Sequence, residues 1–159
     1  VSLAAQTELE FRVIQQLAER YAGHVSAERV LSGPGLVALH QAIAQVTGAH
    51  QEPRLGAAQI TQGALQGHDP LCLQTLEMFC AFLGTVAGDL ALTLGARGGV
   101  YLGGGILPHW RDWLATSPFR ARFEAKGRYR DYLAAIPVWL VDAPTSPALL
   151  GAARALSLR

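Results

Sequence analysis

One apolar stretch, residues 70–94, constrains the fold of this chain more than any other feature. It follows Asp69, which can cap a helix, and starts with Pro70, which fits a first helical turn because the N–H that it lacks would be unpaired there. Apolar side chains line one face at helical spacing and also occupy the neighbouring faces, and a helix that is apolar most of the way round is a buried one. The stretch predicts a long central helix whose main stripe is Leu76, Phe79, Leu83, Val86, Leu90 and Leu94.

The composition predicts one globular domain. Of the 159 residues, 50% are hydrophobic and 16% charged, and the net charge is +1. A chain of this size can bury roughly 70% of its unfolded surface, which excludes general disorder. With a pI near 8.0, the chain lacks the excess of basic residues that is typical of a nucleic-acid-binding domain. No membrane span is predicted, because the apolar run between Glu77 and Asp89 is shorter than the about 20 residues that a bilayer needs.

The N-terminal half is predicted to be helical. A first helix runs from about Thr7 to Tyr21, and Thr7 with Glu10 forms a capping box in which each side chain accepts the other's backbone N–H. Ser26 caps a short helical turn. Further helices are predicted from Leu36 to about Gly48, after an intervening Ser-Gly-Pro-Gly loop, and from about Ile60 to Leu65.

Two short strands are predicted in the C-terminal half, at 100–102 and 137–141, both apolar and therefore both expected to be buried. Helical segments separate them, so they should be parallel neighbours, and the central helix should pack against both. The fold class is α/β and mostly helical, and two strands form only part of a whole sheet. The remaining helices are predicted at about 106–114, after Ser117-Pro118, at 128–135 and, capped by Ser146-Pro147, at 148–156.

The sharpest local motif is a glycine triplet, Gly103, Gly104 and Gly105, that follows the first strand. Three glycines let a ligand approach the backbone, and a helix that starts at once would add unpaired N–H groups and the positive end of its dipole. This arrangement suits a nucleotide, although it is neither a G-x-G-x-x-G motif nor a P-loop with its lysine. A tight strand-to-helix turn without any ligand explains the same residues equally well.

Glu28 is the second candidate. It lies on the short turn before Ser32-Gly33-Pro34-Gly35, and an ionised carboxylate can accept hydrogen bonds from two neighbouring sugar hydroxyls. The alternative is a solvated surface carboxylate, which is the usual state of a lone Glu on a short helix.

Other chemistry-bearing residues are assigned structural roles. The five histidines lack the i, i+4 spacing of a zinc helix and no C-x-x-C motif accompanies them, so no metal site is predicted. Cys72 and Cys80 are too far apart on one helix for a disulfide, and both are expected to be small buried side chains of a cytoplasmic protein. Expected core aromatics are Tyr101, Trp110, Trp113 and Trp139, and a solvated basic face is expected of Arg120, Arg122, Lys126, Arg128 and Arg130.

Five segments, taken in order, resemble bacterial glucokinases over nearly the whole chain. Residues 24–36 resemble the family's sugar-site helix and the loop after it, and residues 98–106 resemble its adenosine motif. The later segments 119–128, 136–140 and 149–153 are similar to those that follow in the family. The resemblance implies a C-terminal portion of a ribonuclease-H-like domain of the actin-like ATPase and sugar-kinase superfamily.

The resemblance also implies site residues. Glu28 matches the carboxylate that hydrogen-bonds glucose, Gly103, Gly104 and Gly105 match the glycines near adenosine, and Ser32 and Gly33 match the loop between the two sites. The family's catalytic aspartate, phosphate loops and Glu-Gly-Gly-His motif match nothing here, so no catalytic residue is expected in this chain. Partners would be glucose and ATP with Mg²⁺.

Two functions remain open at this point. Residues 1–159 are expected to be a single partial domain, the C-terminal segment of a glucokinase-like large domain without the N-terminal domain, and inactive alone. The parent would transfer the γ-phosphoryl group of ATP to glucose. The alternative is a non-catalytic helical module for binding or assembly that keeps the family fold. In either case the missing strands should leave an apolar sheet edge, through which the chain self-associates or which its own N-terminal segment covers.

Overall fold

The structure is a computed structural model that describes residues 1–49, 55–143 and 147–157. The N-terminal helices are α1 (Glu8–Arg20), α2 (Ala27–Val30), α3 (Gly33–Thr47) and α4 (Ala57–Leu65). The long helix α5 (Pro70–Leu94) leads to strand β1 (Val100–Leu102). The remaining elements are α6 (Arg111–Thr116), α7 (Phe119–Glu124), α8 (Arg130–Ala134), β2 (Val138–Leu140) and α9 (Pro147–Ser157), with 3₁₀ turns at Leu107–Trp110 and Gly127–Tyr129.

Helix α5 has the predicted bounds and the predicted caps. The Asp69 carboxylate accepts from the backbone N–H groups of Leu71 and Cys72, and Gly95 ends the helix in the left-handed conformation. The helix has the length and mean hydropathy (1.5) of a membrane span, but 72% of its most apolar window is buried inside the protein. Its burial is that of a core helix.

The packing of α5 differs from the prediction. Its main neighbours among the described elements are α7 and α4, followed by α3, whereas its contacts with the two strands are minor. The reason lies in glycines: Gly84 and Gly88 let the α7 backbone approach α5 at Phe119 and Phe123. The largest fully buried side chains of this core are Phe82, Phe123, Leu17, Leu36, Leu39 and Ile43.

The two strands pair in parallel, as predicted, with Tyr101 opposite Trp139. The prediction that they are buried is wrong. Tyr101 is 68% exposed and Trp139 is 43% exposed, and their rings stack with centroids 4.9 Å apart. Trp110 is buried as predicted. In the described chain the sheet has only two strands, and the face that carries this pair is largely exposed.

The N-terminal segment lies elsewhere than at the open sheet. Ser2 forms an antiparallel bridge with Ser26, and the Leu3 N–H donates to the carbonyl of Val25 at 3.0 Å. It therefore does not cover the sheet edge, although its covering of that edge was one of the two expected outcomes.

The predicted capping box of α1 is half formed. Thr7 Oγ1 accepts from the Glu10 N–H at 3.2 Å, as expected. The Glu10 carboxylate instead accepts from the Gln6 N–H at 2.7 Å and pairs with Arg122. The carboxylate thus bonds both the backbone just before the N-cap and a cation of α7. The cap proposed for Ser146 lies outside the described residues.

Candidate functional site

Glu28 lies on the exposed side of α2, at the second position of the helix. The Ser26 hydroxyl does not cap this helix as predicted; the Ala27 N–H donates to the carbonyl of Val1 at 2.9 Å instead. Within the described ranges, the Glu28 carboxylate has neither a hydrogen bond nor an ion pair. Both of its oxygens are therefore open to an external donor.

The loop after α2 is held tightly. The Ser32 hydroxyl accepts from the Gly35 N–H at 3.1 Å and so caps α3. Gly35 has no room for a side chain, because a Cβ there would overlap the carbonyl oxygen of Val30. This close approach fixes the start of α3 against the end of α2, and it orders the segment that contains Ser32 and Gly33.

The glycine triplet is exposed after β1. A Cβ at Gly103, Gly104 or Gly105 would meet no heavy atom within 4 Å, and Gly104 has a φ of +133°, which side chains disfavour. The predicted helix follows the triplet, but it begins as a 3₁₀ helix at Leu107–Trp110, and α6 begins only at Arg111. The α-helix dipole therefore makes no contribution at the triplet, and the open backbone remains.

The fold brings the two glycine segments together. A Cβ at Gly33 would lie 3.9 Å from Cδ1 of Ile106, the residue after the triplet. Next to Gly105 a cavity of about 420 Å³ opens between the triplet and α4, and its lining is largely apolar. Helix α4 forms one wall of this cavity, and no motif in the sequence indicates that wall. Its residues are Ala57, Ala58, Thr61, Gln62 and Leu65.

A sequence profile of the Glucokinase family matches residues 1–159. The chain belongs to the glucokinase family. Glucokinase of Aromatoleum aromaticum is 55% identical over 156 residues, which are 98% of this chain and 46% of that protein. Glucokinase of Neisseria meningitidis serogroup C is 56% identical over 144 residues, 91% of this chain and 43% of that protein. The chain spans about half the length of these glucokinases.

Two solved structures share this fold. The crystal structure of glucokinase from an Antarctic psychrotroph superposes with a TM-score of 0.86 at 41% identity, over 100% of this chain and 48% of that one. The glucokinase from Balamuthia mandrillaris in complex with glucose gives a TM-score of 0.71 at 20% identity, over 91% and 41%. The predicted mostly helical α/β fold with two short parallel strands is thus confirmed as part of the glucokinase fold.

The basic segment of this glucokinase-family chain is only partly the solvated face that was predicted: Arg128 and Arg130 are exposed, whereas Arg120, Arg122 and Lys126 are half-buried. Arg122 is nearly buried and forms a bidentate pair with Glu10, and Lys126 pairs with Asp89 at 2.7 Å. Arg120 donates to the carbonyl oxygens of Ile136 and Ala134 and so ties α7 to the segment before β2. These three half-buried cations hold the structure together and are not available to an anionic ligand.

Sequence analysis missed one cluster, formed by His40, Asp69 and Cys72. The only sequence signal is the i, i+3 spacing of Asp69 and Cys72, because His40 comes from a distant helix. Burial raises the pKa of the Cys72 thiol to about 12, and the hydrogen bond and the charge of Asp69 add to this effect. Burial lowers the pKa of His40. Both groups are therefore neutral at physiological pH.

Proposed function

We propose that this chain is the C-terminal part of an ATP-dependent glucokinase, a single partial domain spanning residues 1–159. The whole enzyme transfers the γ-phosphoryl group of ATP to glucose and releases glucose 6-phosphate. The observation that supports this most is that the Gly33 loop lies near Ile106, beside the cavity next to Gly105. In this proposal the loop that follows the sugar-contacting helix α2 and the glycine triplet that contacts adenosine are therefore neighbours.

In this proposal each segment has its own ligand. Glu28 accepts hydrogen bonds from glucose hydroxyls, for which its unpaired carboxylate is suited. The open backbone of Gly103, Gly104 and Gly105 contacts adenosine, and the adjoining cavity of about 420 Å³ takes the flat base against α4. Ser32 and Gly33 lie between the two ligands and contact the nucleotide.

We assign no catalytic residue and no metal ligand to this chain. Phosphoryl transfer depends on positioning and on Mg²⁺, which bridges the phosphates. No carboxylate lines the cavity beside Gly105, so the described residues there do not fit a Mg²⁺ site. This chain therefore binds and orients the two substrates, and the 159 residues alone are expected to be inactive. With both cysteines free and buried, we place the enzyme in the cytoplasm.

The substitution Glu28→Gln in the intact enzyme tests the sugar assignment. It keeps the shape and removes the charge, and a hydrogen bond to a charged acceptor is worth about 1.5–3 kcal/mol, so kcat/KM for glucose should fall about ten- to a hundredfold. Nucleotide binding without sugar, measured by calorimetry, should hardly change. The matched control is Glu77→Gln, another exposed helical carboxylate. Unchanged glucose kinetics would contradict the assignment.

The substitution Gly103→Val tests the nucleotide assignment in the same assays. Gly103 has an ordinary φ and open space around it, so the new side chain meets only an incoming ligand. The KM for ATP should rise by about tenfold or more, a loss of about 1.4 kcal/mol, with a much smaller effect on glucose. The control is Gly151→Val in α9, which is equally open and lies outside the segment 98–106. Equal effects on both substrates would argue against an adenosine contact.

A further inference from the structure

Three side chains with metal-ligand atoms converge where α3 meets the start of α5. His40 lies on α3, Asp69 is the N-cap of α5, and Cys72 is in its first turn. Cys72 Sγ is 3.2 Å from Asp69 Oδ2 and 3.8 Å from His40 Nε2, and all three ligand atoms lie within 4.8 Å of one another. Elsewhere in the described ranges no group of three such residues meets this limit.

These distances match a tetrahedral coordination shell. Zn²⁺ bonds sulfur at about 2.3 Å and nitrogen or oxygen at about 2.0–2.2 Å, so neighbouring ligand atoms stand about 3.5 Å apart. Imidazole nitrogen, thiolate sulfur and carboxylate oxygen are all ligands that Zn²⁺ accepts. The site therefore needs little rearrangement to hold the ion.

The carboxylate can bind an ion without giving up its helix cap. Asp69 Oδ1 accepts from the N–H groups of Leu71 at 2.8 Å and Cys72 at 3.2 Å. The one hydrogen bond that Oδ2 accepts from the described residues comes from the thiol of Cys72. A cation would therefore replace a single thiol proton and leave the cap of α5 intact.

Charge and exposure also favour a divalent ion. The positive end of α5 disfavours a cation, but a thiolate together with a carboxylate supplies two negative charges to offset it. His40 and Cys72 are buried, at 6% and 1% exposure, while Asp69 is partly exposed. The exposed side provides an entrance for the ion and a fourth position for water.

We propose that His40, Asp69 and Cys72 form a Zn²⁺ site that joins α3 to α5. The ion forms bonds to Nε2, Oδ2 and Sγ, the S–H bond breaks, and the proton passes to solvent. The site is separate from the proposed substrate contacts and does not depend on them.

The test is calorimetric titration of the intact, metal-free protein with Zn²⁺ alone, together with Co²⁺ absorption as a report on coordination. We expect one equivalent of Zn²⁺ that depends on Cys72, and a thiolate-to-Co²⁺ charge-transfer band with tetrahedral visible absorption. The variants Cys72→Ser and His40→Gln should each weaken binding by at least about tenfold. Cys80→Ala is the control, because Cys80 is buried in the same helix outside the cluster.

Thermal unfolding gives a second measurement on the same proteins. Zn²⁺ should raise the Tm of the wild type and of Cys80→Ala, because an ion that binds only the folded state stabilises it. It should raise the Tm of Cys72→Ser clearly less, and a cooperative unfolding transition of that variant shows that it is folded. Zn²⁺ binding that persists undiminished in folded Cys72→Ser, or a wild type that binds no Zn²⁺, would overturn the proposal.

Discussion

Among single residues, the buried pair of Glu10 and Arg122 joins α1 to α7. The Arg122 Nη1 and Nη2 groups donate to the two Glu10 oxygens at 2.5 and 3.0 Å, and Nη2 also donates to Thr85 Oγ1 at 3.2 Å. The side chains of Arg122 and Glu10 are only 14% and 5% exposed. Removing one partner would leave a charge buried without compensation.

We therefore expect Arg122→Met to lower the free energy of unfolding by about 3–5 kcal/mol at neutral pH, as measured by urea titration. Arg130→Met is the control, because Arg130 is exposed on the neighbouring helix. Its effect should stay within about 0.5 kcal/mol. Similar losses of unfolding free energy in both variants would show that the pair of Glu10 and Arg122 does not stabilise the fold more than an exposed arginine does.

The pair also has a defined pH dependence. Burial by itself raises the pKa of Glu10, but the hydrogen bonds from Arg122 and Gln6 and the charge of Arg122 bring it below its usual 4.5. A carboxyl whose pKa is lowered by folding stabilises the protein above its unfolded pKa, and this contribution disappears as the pH falls through the folded pKa. The stability difference between wild type and Arg122→Met should therefore narrow below pH 4.5.

At the scale of elements, the contact of α5 with α7 depends on two glycines. A Cβ at Gly84 would overlap the carbonyl oxygen of Phe119, and one at Gly88 would lie 2.5 Å from that of Phe123. Both obstacles are backbone atoms, so they cannot move aside as a flexible side chain could. The glycines make this contact possible, and the contact is among the most extensive between two helices of the described chain.

The substitution Gly84→Ala should destabilise the protein by about 1–3 kcal/mol, because the methyl group must push α7 away. Gly151→Ala in α9 is the matched control: it is also a helical glycine, but nothing lies within 4 Å of its Cβ position. That change should stabilise its own helix by at most about 1 kcal/mol. Thermal unfolding of the two variants checks both signs, and an undisturbed Tm in Gly84→Ala would contradict the packing argument.

The elements that the sequence predicts well are those fixed by neighbours along the chain. Asp69 and Gly95 mark the ends of α5 because both caps act within one turn. The pairing of the strands also follows from their helical crossover. The exposure of Tyr101 and Trp139 does not follow from the sequence, because it depends on what covers the sheet. The two apolar three-residue strands carry no information about that.

The candidate site also has one part that the sequence predicts and another part that it does not. Glu28 and the glycine triplet stand out locally through their motifs, and their assignments remain predictions. The wall that α4 adds to the cavity, the burial of Arg122 and the meeting of His40 with Cys72 all require tertiary contacts. Residues more than thirty positions apart were brought together in each of the last two cases, with no shared sequence period to reveal it.

Among the described residues, two of the apolar surfaces that lie open to solvent are on the sheet and on α9. The first is the stacked pair of Tyr101 and Trp139 on a sheet whose outer edges are unpaired in the described chain. The second is α9, on which Leu149 and Leu150 are 68% and 58% exposed. Exposed strand edges and apolar patches are templates for association, and we propose that the sheet is the surface through which the chain forms a homo-oligomer.

The 159-residue chain should therefore associate reversibly, and its mass in sedimentation equilibrium should rise with concentration from 17.0 kDa towards twice that value. Tyr101→Lys places a charge on the exposed sheet face at a position with little packing to lose, and it should shift the equilibrium to monomer. Leu149→Lys is the matched variant on α9 and should leave the association unchanged. A wild type that stays monomeric, or one whose association only Leu149→Lys disrupts, would contradict the role of the sheet. The stacking of Tyr101 on Trp139 gives a further check, because Trp139 fluorescence should change with concentration in the wild type and in Leu149→Lys but not in Tyr101→Lys.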